Sequence, residues 1–206
     1  MSKAKYIDKH AIEQAVREII IALGENPDRE GLIETPKRVA KAYAEIFDGI
    51  NYTNEEIAKM YDKGFTDEDF LDEDGAMPTQ FGEFVLVKNI RCYSMCEHHC
   101  LPMTLDISIA YIPGKKVVGL SKMPRVAKKV CQRMQLQERI GRDIAEILTI
   151  MSESEDVAVI VKGSHMCVSM RGVQDTSSVT HTAYFGGKFK DNYYLRKEMM
   201  DCVNAE

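Results

Sequence analysis

The sequence predicts an α+β protein in which an antiparallel ββααββ core follows an N-terminal helical extension. Three observations support this prediction. Apolar residues recur at helical spacing through the first third of the chain, alternate with polar residues from about residue 84, and then return to helical spacing before a last set of strand-like segments. A chain of 206 residues suits one large domain with an extension. We therefore expect an N-terminal helical region over residues 1–75 and a sheet-containing domain over residues 76–206.

The N-terminal region is predicted to contain three helices. Ile12–Leu23 carries apolar residues every three or four positions, as a helix with one buried face does. Thr35 followed by Pro36 is typical of an N-cap and a first helical residue, so a second helix is expected to begin there. A short third helix is expected over Glu55–Tyr61, and the acidic, turn-rich stretch 63–80 is predicted to be a loop.

The sheet is predicted from residues that alternate with the period of a strand. A strand is expected over residues 84–87, and residues 103–112 alternate most regularly, with one face formed by Leu105, Ile107, Ile109 and Tyr111. Gly163-Ser164 is expected to form a turn between two later strands. The remaining elements are expected in the following order: a helix from Ser121, a helix over 136–151, strands over 157–161, 166–170 and 179–185, and a helix over 195–203.

Composition excludes several classes of protein. The net charge of −5 disfavours a nucleic-acid-binding protein, and no run of apolar residues is long enough for a membrane span. The N-terminal segment carries charges that do not fit a secretory signal. Six cysteines in a chain of this length are typical of thiols or metal ligands in a reducing compartment. We expect a cytoplasmic protein with neither nucleic acid nor a membrane as its partner.

Cysteine and histidine are concentrated in one short segment. Residues 96–100 read Cys-Glu-His-His-Cys and include two of the five histidines of the chain. Thiolate and imidazole are the ligands that zinc prefers, and in the pattern Cys96-x-x-His99 both side chains can reach one ion across a tight turn. A second cluster, His165-Met166-Cys167, lies about 70 residues further along the chain. The two clusters together predict a metal site built from two distant parts of the fold.

Two arrangements of this metal site remain open from the spacing. In an open site, Cys96, His99 and Cys167 hold zinc and leave one position for water, which the metal converts into a nucleophile at neutral pH. A closed structural site would instead use Cys92, Cys96, Cys100 and His99 and would leave no position for water.

Two further histidines are expected beside the ligands of the open site. If residues 166–170 form a strand, His165 and Cys167 point to the same face of it, because side chains alternate along a strand. His98 directly precedes His99 and is expected near the metal without binding it. Without Cys167 beside it, His165 is better explained as a hydrogen-bonded core histidine.

The most basic segment of the chain offers a candidate phosphate site. Residues 114–142 contain nine cations and one acid. A helix beginning near Ser121 presents unpaired backbone N–H groups, and Lys122, Arg125 and the later Arg171 could add positive charge around an anion. A solvated helix face is the alternative explanation for most of these cations.

Gln137-Glu138 begins the next predicted helix. The Glu138 carboxylate, the only acid in this basic stretch, could accept two hydrogen bonds from a guanidine-like edge such as N1–H and the exocyclic amine of guanine. The alternative is a carboxylate that simply interacts with the positive end of the helix dipole.

Jointly, these segments resemble the zinc-dependent GTP cyclohydrolase I family. The matches run in order from about residue 10 to residue 200, which makes them more specific than any single motif. Cys92 and Cys100 are not part of the family pattern. The matching stretches are residues 34–39, 96–99, 119–122 with Arg125, 135–139, 165–168 with Arg171 and Gly172, and 186–189.

The resemblance implies a fold, an assembly and a reaction. The fold is the tunnelling fold, and the assembly is a toroidal homodecamer of two pentamers with active sites between subunits. The reaction converts GTP and water into 7,8-dihydroneopterin triphosphate and formate, the first step of folate or pterin synthesis, with Zn²⁺ as cofactor. We expect one histidine to protonate N7 of guanine so that water adds at C8, and another to assist hydrolysis of the resulting formamide.

The resemblance also implies a role for each matching residue. Zinc is expected on Cys96, His99 and Cys167. The two histidines that act in catalysis are expected to be His98 and His165. Two sets of substrate contacts are expected: Gln137 and Glu138 on the guanine, and Ser121, Lys122, Arg125 and Arg171 on the triphosphate.

Two alternative functions are also compatible with parts of this sequence. Another tunnelling-fold enzyme that acts on a purine or pterin would use either a three-histidine zinc site, for which this chain lacks histidines near its motifs, or a cysteine nucleophile without zinc. A nucleotide-binding or structural-zinc module without catalytic activity is the alternative from a different class. Formation of a pterin product from GTP separates these readings.

Overall fold

The computed structural model describes residues 6–62, 64–65, 84–114 and 116–205. Contacts divide the chain into two compact units, one ending at Asn51 and the other beginning at Tyr52. The boundary expected near residue 75 stays a prediction, because residues 66–83 lie outside the described part of the chain, as does most of the loop expected over 63–80. The α+β class is confirmed, whereas the tunnelling arrangement stays a prediction.

The first unit contains helices α1 (Lys9–Ala22) and α2 (Thr35–Ile46), which pack against each other, and a 3₁₀ turn over Asp48–Asn51. The Asp8 carboxylate caps α1 by accepting a hydrogen bond of 3.0 Å from the Ala11 N–H. Both helices were predicted from the sequence.

The start of α2 differs from the expectation by one residue. Thr35 is the first helical residue and not the N-cap, and the cap position is occupied by Glu34, which makes no capping hydrogen bond. The Glu34 carboxylate instead accepts from Arg38 at 2.6 Å. Pro36 still lies in the first turn, where its missing N–H costs nothing.

The second unit is built around a five-stranded sheet with the order β5-β2-β3-β6-β7, in which only the β2–β5 pair is parallel. Two short strands, β1 and β4, pair separately. The bounds are β1 Gly64–Phe65, β2 Val85–Cys96, β3 Pro102–Tyr111, β4 Val117–Val118, β5 Met134–Gln135, β6 Val157–His165 and β7 Thr180–Phe185.

Among the described residues of this unit, six helices accompany these strands, and the four longer ones match the helices expected from the sequence. None of the helices in the described ranges combines the length and the apolar character that crossing a bilayer requires. The bounds are α3 Asn54–Tyr61, α4 Lys122–Cys131, α5 Gln137–Ser152, α6 Met166–Ser169, α7 Gly187–Asp191 and α8 Tyr193–Asn204.

The alternation predicted for β3 is confirmed by burial. The side chains of Leu105, Ile107 and Ile109 are fully buried in one apolar cluster, to which α4 and α5 also contribute. Ala110 points to the opposite face, where a second cluster includes Phe189 of α7 and residues of α8. Helices therefore cover both faces of the sheet.

The prediction of a turn at Gly163-Ser164 was wrong. Strand β6 continues through both residues to His165, paired with β3 along its whole length, and the residues after it form the short helix α6 and not a strand. The glycine has a different purpose, because a Cβ at position 163 would lie 2.3 Å from Oε1 of Gln137. Glycine thus marks a close approach between β6 and the first residue of α5.

Candidate metal centre

The segment 96–100 forms a tight turn at the end of β2. The carbonyl of Cys96 accepts hydrogen bonds from the N–H groups of His99 and Cys100, at 3.3 and 2.9 Å. Cys100 has a left-handed φ of 52°, and the N–H of Cys96 donates to the carbonyl of Leu101 at 2.9 Å. This turn brings Sγ of Cys96 to 3.8 Å from Nδ1 of His99.

The third predicted ligand comes from α6. The ligand atoms of Cys96, His99 and Cys167 lie within 4.8 Å of one another. Tetrahedral zinc with bonds of about 2.3 Å to sulfur and about 2.1 Å to nitrogen separates its ligand atoms by about 3.6–3.8 Å. The donor set and its spacing therefore fit zinc, although Cys167 reaches the cluster from a helical turn and not from the alternating strand that we expected.

The closed four-ligand arrangement is not formed. Within the described ranges, the grouping of ligand atoms does not include Cys92 or Cys100. The Cys92 side chain is buried in the sheet against Cys131, and the hydrogen bond between these thiols lowers the pKa of Cys92 and raises that of Cys131. Cys100 is exposed.

His165 ends β6 and is held by Gln137. Its Nε2 lies 2.7 Å from Oε1 of Gln137, whose amide nitrogen donates to the carbonyls of Val161 and Thr180 at 3.0 and 2.9 Å. Because those carbonyls only accept, the amide oxygen must face the imidazole, and Nε2 of His165 carries the hydrogen. Burial lowers the pKa of His165, and the nearby Glu138 carboxylate opposes that shift.

The two residues predicted to contact guanine differ in exposure. Glu138 is exposed in the first turn of α5, whereas Gln137 is only 2% exposed. The amide N–H groups of Gln137 are already bound by backbone carbonyls, which leaves one lone pair of Oε1 for any further partner. A direct guanine contact from Gln137 stays a prediction and depends on that lone pair.

Two more predicted residues lie close to the ligands. His98 is exposed, and its ring lies 6.1 Å from that of His99, nearly perpendicular to it. Burial, more than the neighbouring Cys96 thiol, raises the pKa of Cys167, while the positive charge of Arg171 opposes the shift. Arg171 itself is exposed, so its guanidinium is accessible to a substrate.

The predicted phosphate residues share the start of α4. Ser121 occupies the cap position but makes no side-chain capping bond, so its hydroxyl is available to a ligand. Lys122 and Arg125 follow in the first turn. Within the described residues, these three side chains make no hydrogen bond or ion pair with the three predicted metal ligands.

Sequence reasoning gave no role to an ion pair beside the metal turn. Glu97, between Cys96 and His98, binds the guanidinium of Arg139 on α5. Two signs of this ion pair were present in the sequence: the acidic Glu97 lies inside the segment 96–100, and the basic Arg139 follows Gln137 by two residues.

Comparisons with known proteins identify the family of this chain. The family model described as GTP cyclohydrolase I matches residues 12–204. GTP cyclohydrolase 1 of Clostridium acetobutylicum is 47% identical over 200 residues, which cover 97% of this chain and 99% of that protein. The same-named protein of Ruminiclostridium cellulolyticum is 49% identical over 195 residues, 94% of this chain and 97% of that protein. This chain therefore belongs to the GTP cyclohydrolase I family of enzymes.

Proposed function

We propose that the chain hydrolyses GTP to 7,8-dihydroneopterin triphosphate and formate in the cytoplasm, at the start of folate synthesis. The observation that supports this proposal most directly is the group of Cys96, His99 and Cys167 ligand atoms, with His165 two residues from one of them. Membership of the GTP cyclohydrolase I family supports GTP as the substrate, and the products are those that the resemblance implies. The absence of disulfides among the six cysteines suits a reducing compartment.

Zinc is the metal that we propose for the three ligands. Two thiolates and one imidazole leave one of four tetrahedral positions for solvent, as catalytic zinc sites do. When bound, zinc would act as a Lewis acid and supply activated water at neutral pH. The turn at residues 96–100 and helix α6 would hold the ligands, and the mixed exposure of the site, buried at Cys96 and open at His99, leaves an approach for substrate.

His165 is proposed to transfer a proton to N7 of guanine. Its Nε2 hydrogen is held by Gln137, so Nδ1 is the nitrogen left to exchange a proton with the substrate. The lowered pKa makes the protonated ring a stronger acid. Protonation at N7 withdraws electrons from C8 and favours addition of water there, after which the ring opens to a formamide.

His98 is proposed to assist the second hydrolytic step, which releases formate. Its ring is exposed beside His99, so it can move protons between solvent and the formamide nitrogen without binding the metal.

Substrate recognition is proposed to use both ends of the nucleotide. Glu138 is exposed and negatively charged next to His165, which suits hydrogen bonds from guanine N1–H and the exocyclic amine, with Gln137 contributing through its oxygen. The triphosphate is proposed to bind the first turn of α4 and the guanidinium beside Cys167, through Ser121, Lys122, Arg125 and Arg171.

A toroidal homodecamer of two pentamers is proposed as the assembly. In the described residues β7 pairs on one side only, with β6. Met170, Val173 and Val179, which lie between Cys167 and β7, are 53–82% exposed. Apolar side chains and a free strand edge at this position suit a neighbouring subunit. Light scattering of the purified protein measures the number of subunits.

One assay tests the reaction and the metal together. The protein is incubated with GTP, with and without prior removal of zinc by a chelator, and formate and pterin fluorescence are measured. We expect both products from the zinc-loaded protein and neither after chelation, with recovery on adding zinc. Formate release that continues unchanged without metal would refute the metal's role.

A variant separates His165 from the metal. His165→Ala should retain zinc, because the three ligands are intact, and should lose formate release by a factor of roughly 10²–10⁴, the usual contribution of a general acid. Retained zinc with undiminished formate release would refute the proposed role of His165.

A further inference from the structure

The turn that carries two proposed zinc ligands is tied to α5 by a short chain of polar groups. The N–H of Glu97 donates to the carbonyl of Gln135 at 3.1 Å, and the carboxylate of Glu97 binds Nη2 of Arg139. Nε of Arg139 donates to Oε1 of Gln135 at 2.8 Å, and Nη2 also reaches the carbonyl of Met134 at 3.3 Å. Backbone and side chain of Glu97 are therefore fixed at once.

The far end of this chain is buried. Gln135 is 1% exposed, and its amide nitrogen donates to the carboxylate of Asp143 at 3.1 Å and to the carbonyl of Val130 at 3.2 Å. Asp143 in turn accepts from Arg133 at 3.1 Å. The amide oxygen of Gln135 accepts from Arg139, and its amide nitrogen donates to Val130 and Asp143. Rotation of this amide would therefore break these bonds and leave a buried polar group without a hydrogen-bond partner.

Arg139 lies where it can set the shape of the metal turn. Glu97 stands between Cys96 and His98, and its carboxylate is the one side chain of the turn that the described residues bind by an ion pair. An exposed ion pair alone contributes little to stability. Here the guanidinium is held by two further acceptors, so little conformational entropy remains to be lost when it binds Glu97.

We propose that Arg139, held by Gln135, is a positioning residue that keeps the turn 96–100 ready to bind zinc. This inference rests on the proposed metal site. The pair does not touch the metal. It acts by reducing the number of shapes the turn adopts before the ion arrives, so that Cys96 and His99 do not have to be brought together by the ion itself.

The test measures zinc affinity by competition with a chromophoric chelator and does not depend on activity. Outer-shell changes typically weaken metal binding by about 10–100-fold. We expect Arg139→Gln and Glu97→Gln each to raise the Kd for zinc about tenfold. The double variant should resemble either single variant, because both remove the same contact. Arg139→Lys, which keeps the charge but loses the donor to Gln135, should fall between wild type and Arg139→Gln.

Arg91→Gln is the matched control. Arg91 and Asp106 form a bidentate ion pair across β2 and β3, also partly exposed, in the same sheet. Its loss should leave the Kd for zinc unchanged. Far-ultraviolet circular dichroism of each metal-free variant establishes that the fold is retained, and the Co²⁺-substituted proteins report ligand geometry through their visible absorption.

Four outcomes would overturn the inference. The inference is wrong if Arg139→Gln and Glu97→Gln bind zinc as tightly as wild type, or if the control loses as much affinity as they do. If the double variant loses the product of the two single losses, the residues act independently and the inference is wrong. If wild type itself binds no zinc, the metal site fails and the inference fails with it, whereas wild-type binding with unaffected variants leaves the metal site standing and removes only the role of Arg139.

Discussion

Replacing Gly163 with alanine tests the link between strand β6 and His165. The new Cβ would lie 2.3 Å from Oε1 and 3.0 Å from Cδ of Gln137, and 2.8 Å from Cδ2 of Leu105. Gln137 cannot move without breaking its hydrogen bonds to Val161, Thr180 and His165, at 3.0, 2.9 and 2.7 Å.

The size of the effect follows from these contacts. Overpacking a dense core costs about 1–3 kcal/mol. Two or three hydrogen bonds lost from a buried amide add roughly 1 kcal/mol each, unless the backbone moves to keep some of them. We expect Gly163→Ala to lower the free energy of unfolding by about 3–6 kcal/mol if those hydrogen bonds are lost. Formate release should fall as well, because His165 loses the acceptor that fixes its hydrogen on Nε2.

Equilibrium unfolding in urea measures the first effect, and nitrogen chemical shifts of the His165 ring report its tautomer. Gly141→Ala is the matched control, because a Cβ there meets only Cβ of Tyr184 at 3.7 Å and the residue lies inside α5. Alanine in a helix should stabilise the control by about 0.5–1 kcal/mol. The reasoning is refuted if Gly163→Ala unfolds like wild type with an unchanged His165 tautomer, or if the control loses as much stability.

Three further predictions concern the ligands, the substrate and the core. Cys167→Ser should weaken zinc binding at least about tenfold, since a hydroxyl is a poor replacement for a thiolate, and zinc content after dialysis checks this. Glu138→Gln should raise KM for GTP roughly tenfold or more and remove the preference for GTP over ITP, which lacks the exocyclic amine; an unchanged preference in steady-state kinetics would count against the guanine contact. Burial raises the pKa of Tyr111 in the folded protein, so the unfolded chain loses this proton at a lower pH than the folded protein does. The stability that neutral Tyr111 contributes is therefore complete below about pH 10, the usual tyrosine pKa, and is lost as the pH rises through the folded-state pKa. Tyr111→Phe should flatten that alkaline decline in urea unfolding, while costing about 1–3 kcal/mol at neutral pH because the Val118 N–H loses an acceptor at 2.9 Å.

The sequence predicted those helices and strands in which buried apolar residues recur at regular spacing. Strand β3 alternates because one face meets α4 and α5, and the long helices repeat because each buries one stripe. Gly163 misled the prediction for the opposite reason. A glycine followed by serine usually marks a turn, but here it makes room for a side chain on α5, and no local pattern reveals a contact with a residue 26 positions earlier.

The sequence predicted that Cys96, His99 and Cys167 would lie together, but not the hydrogen bonds that support them. Cys96 and His99 follow from spacing, and Cys167 was reached through a second cluster and the family resemblance, although its helical setting was not foreseen. The hydrogen bond between Gln135 and Arg139 could not be predicted from the sequence, because it depends on which side chains the fold brings together.

The ligands come from segments about 70 residues apart in sequence, on either side of strand β3. An ion shared by both would act as a reversible cross-link between the ends of β2 and β6. A covalent link closing a loop of that length is worth about 4 kcal/mol in the chain-entropy model, and a bound ion at 100 times its Kd contributes about 2.7 kcal/mol. The melting temperature of this protein would then rise with the concentration of free zinc.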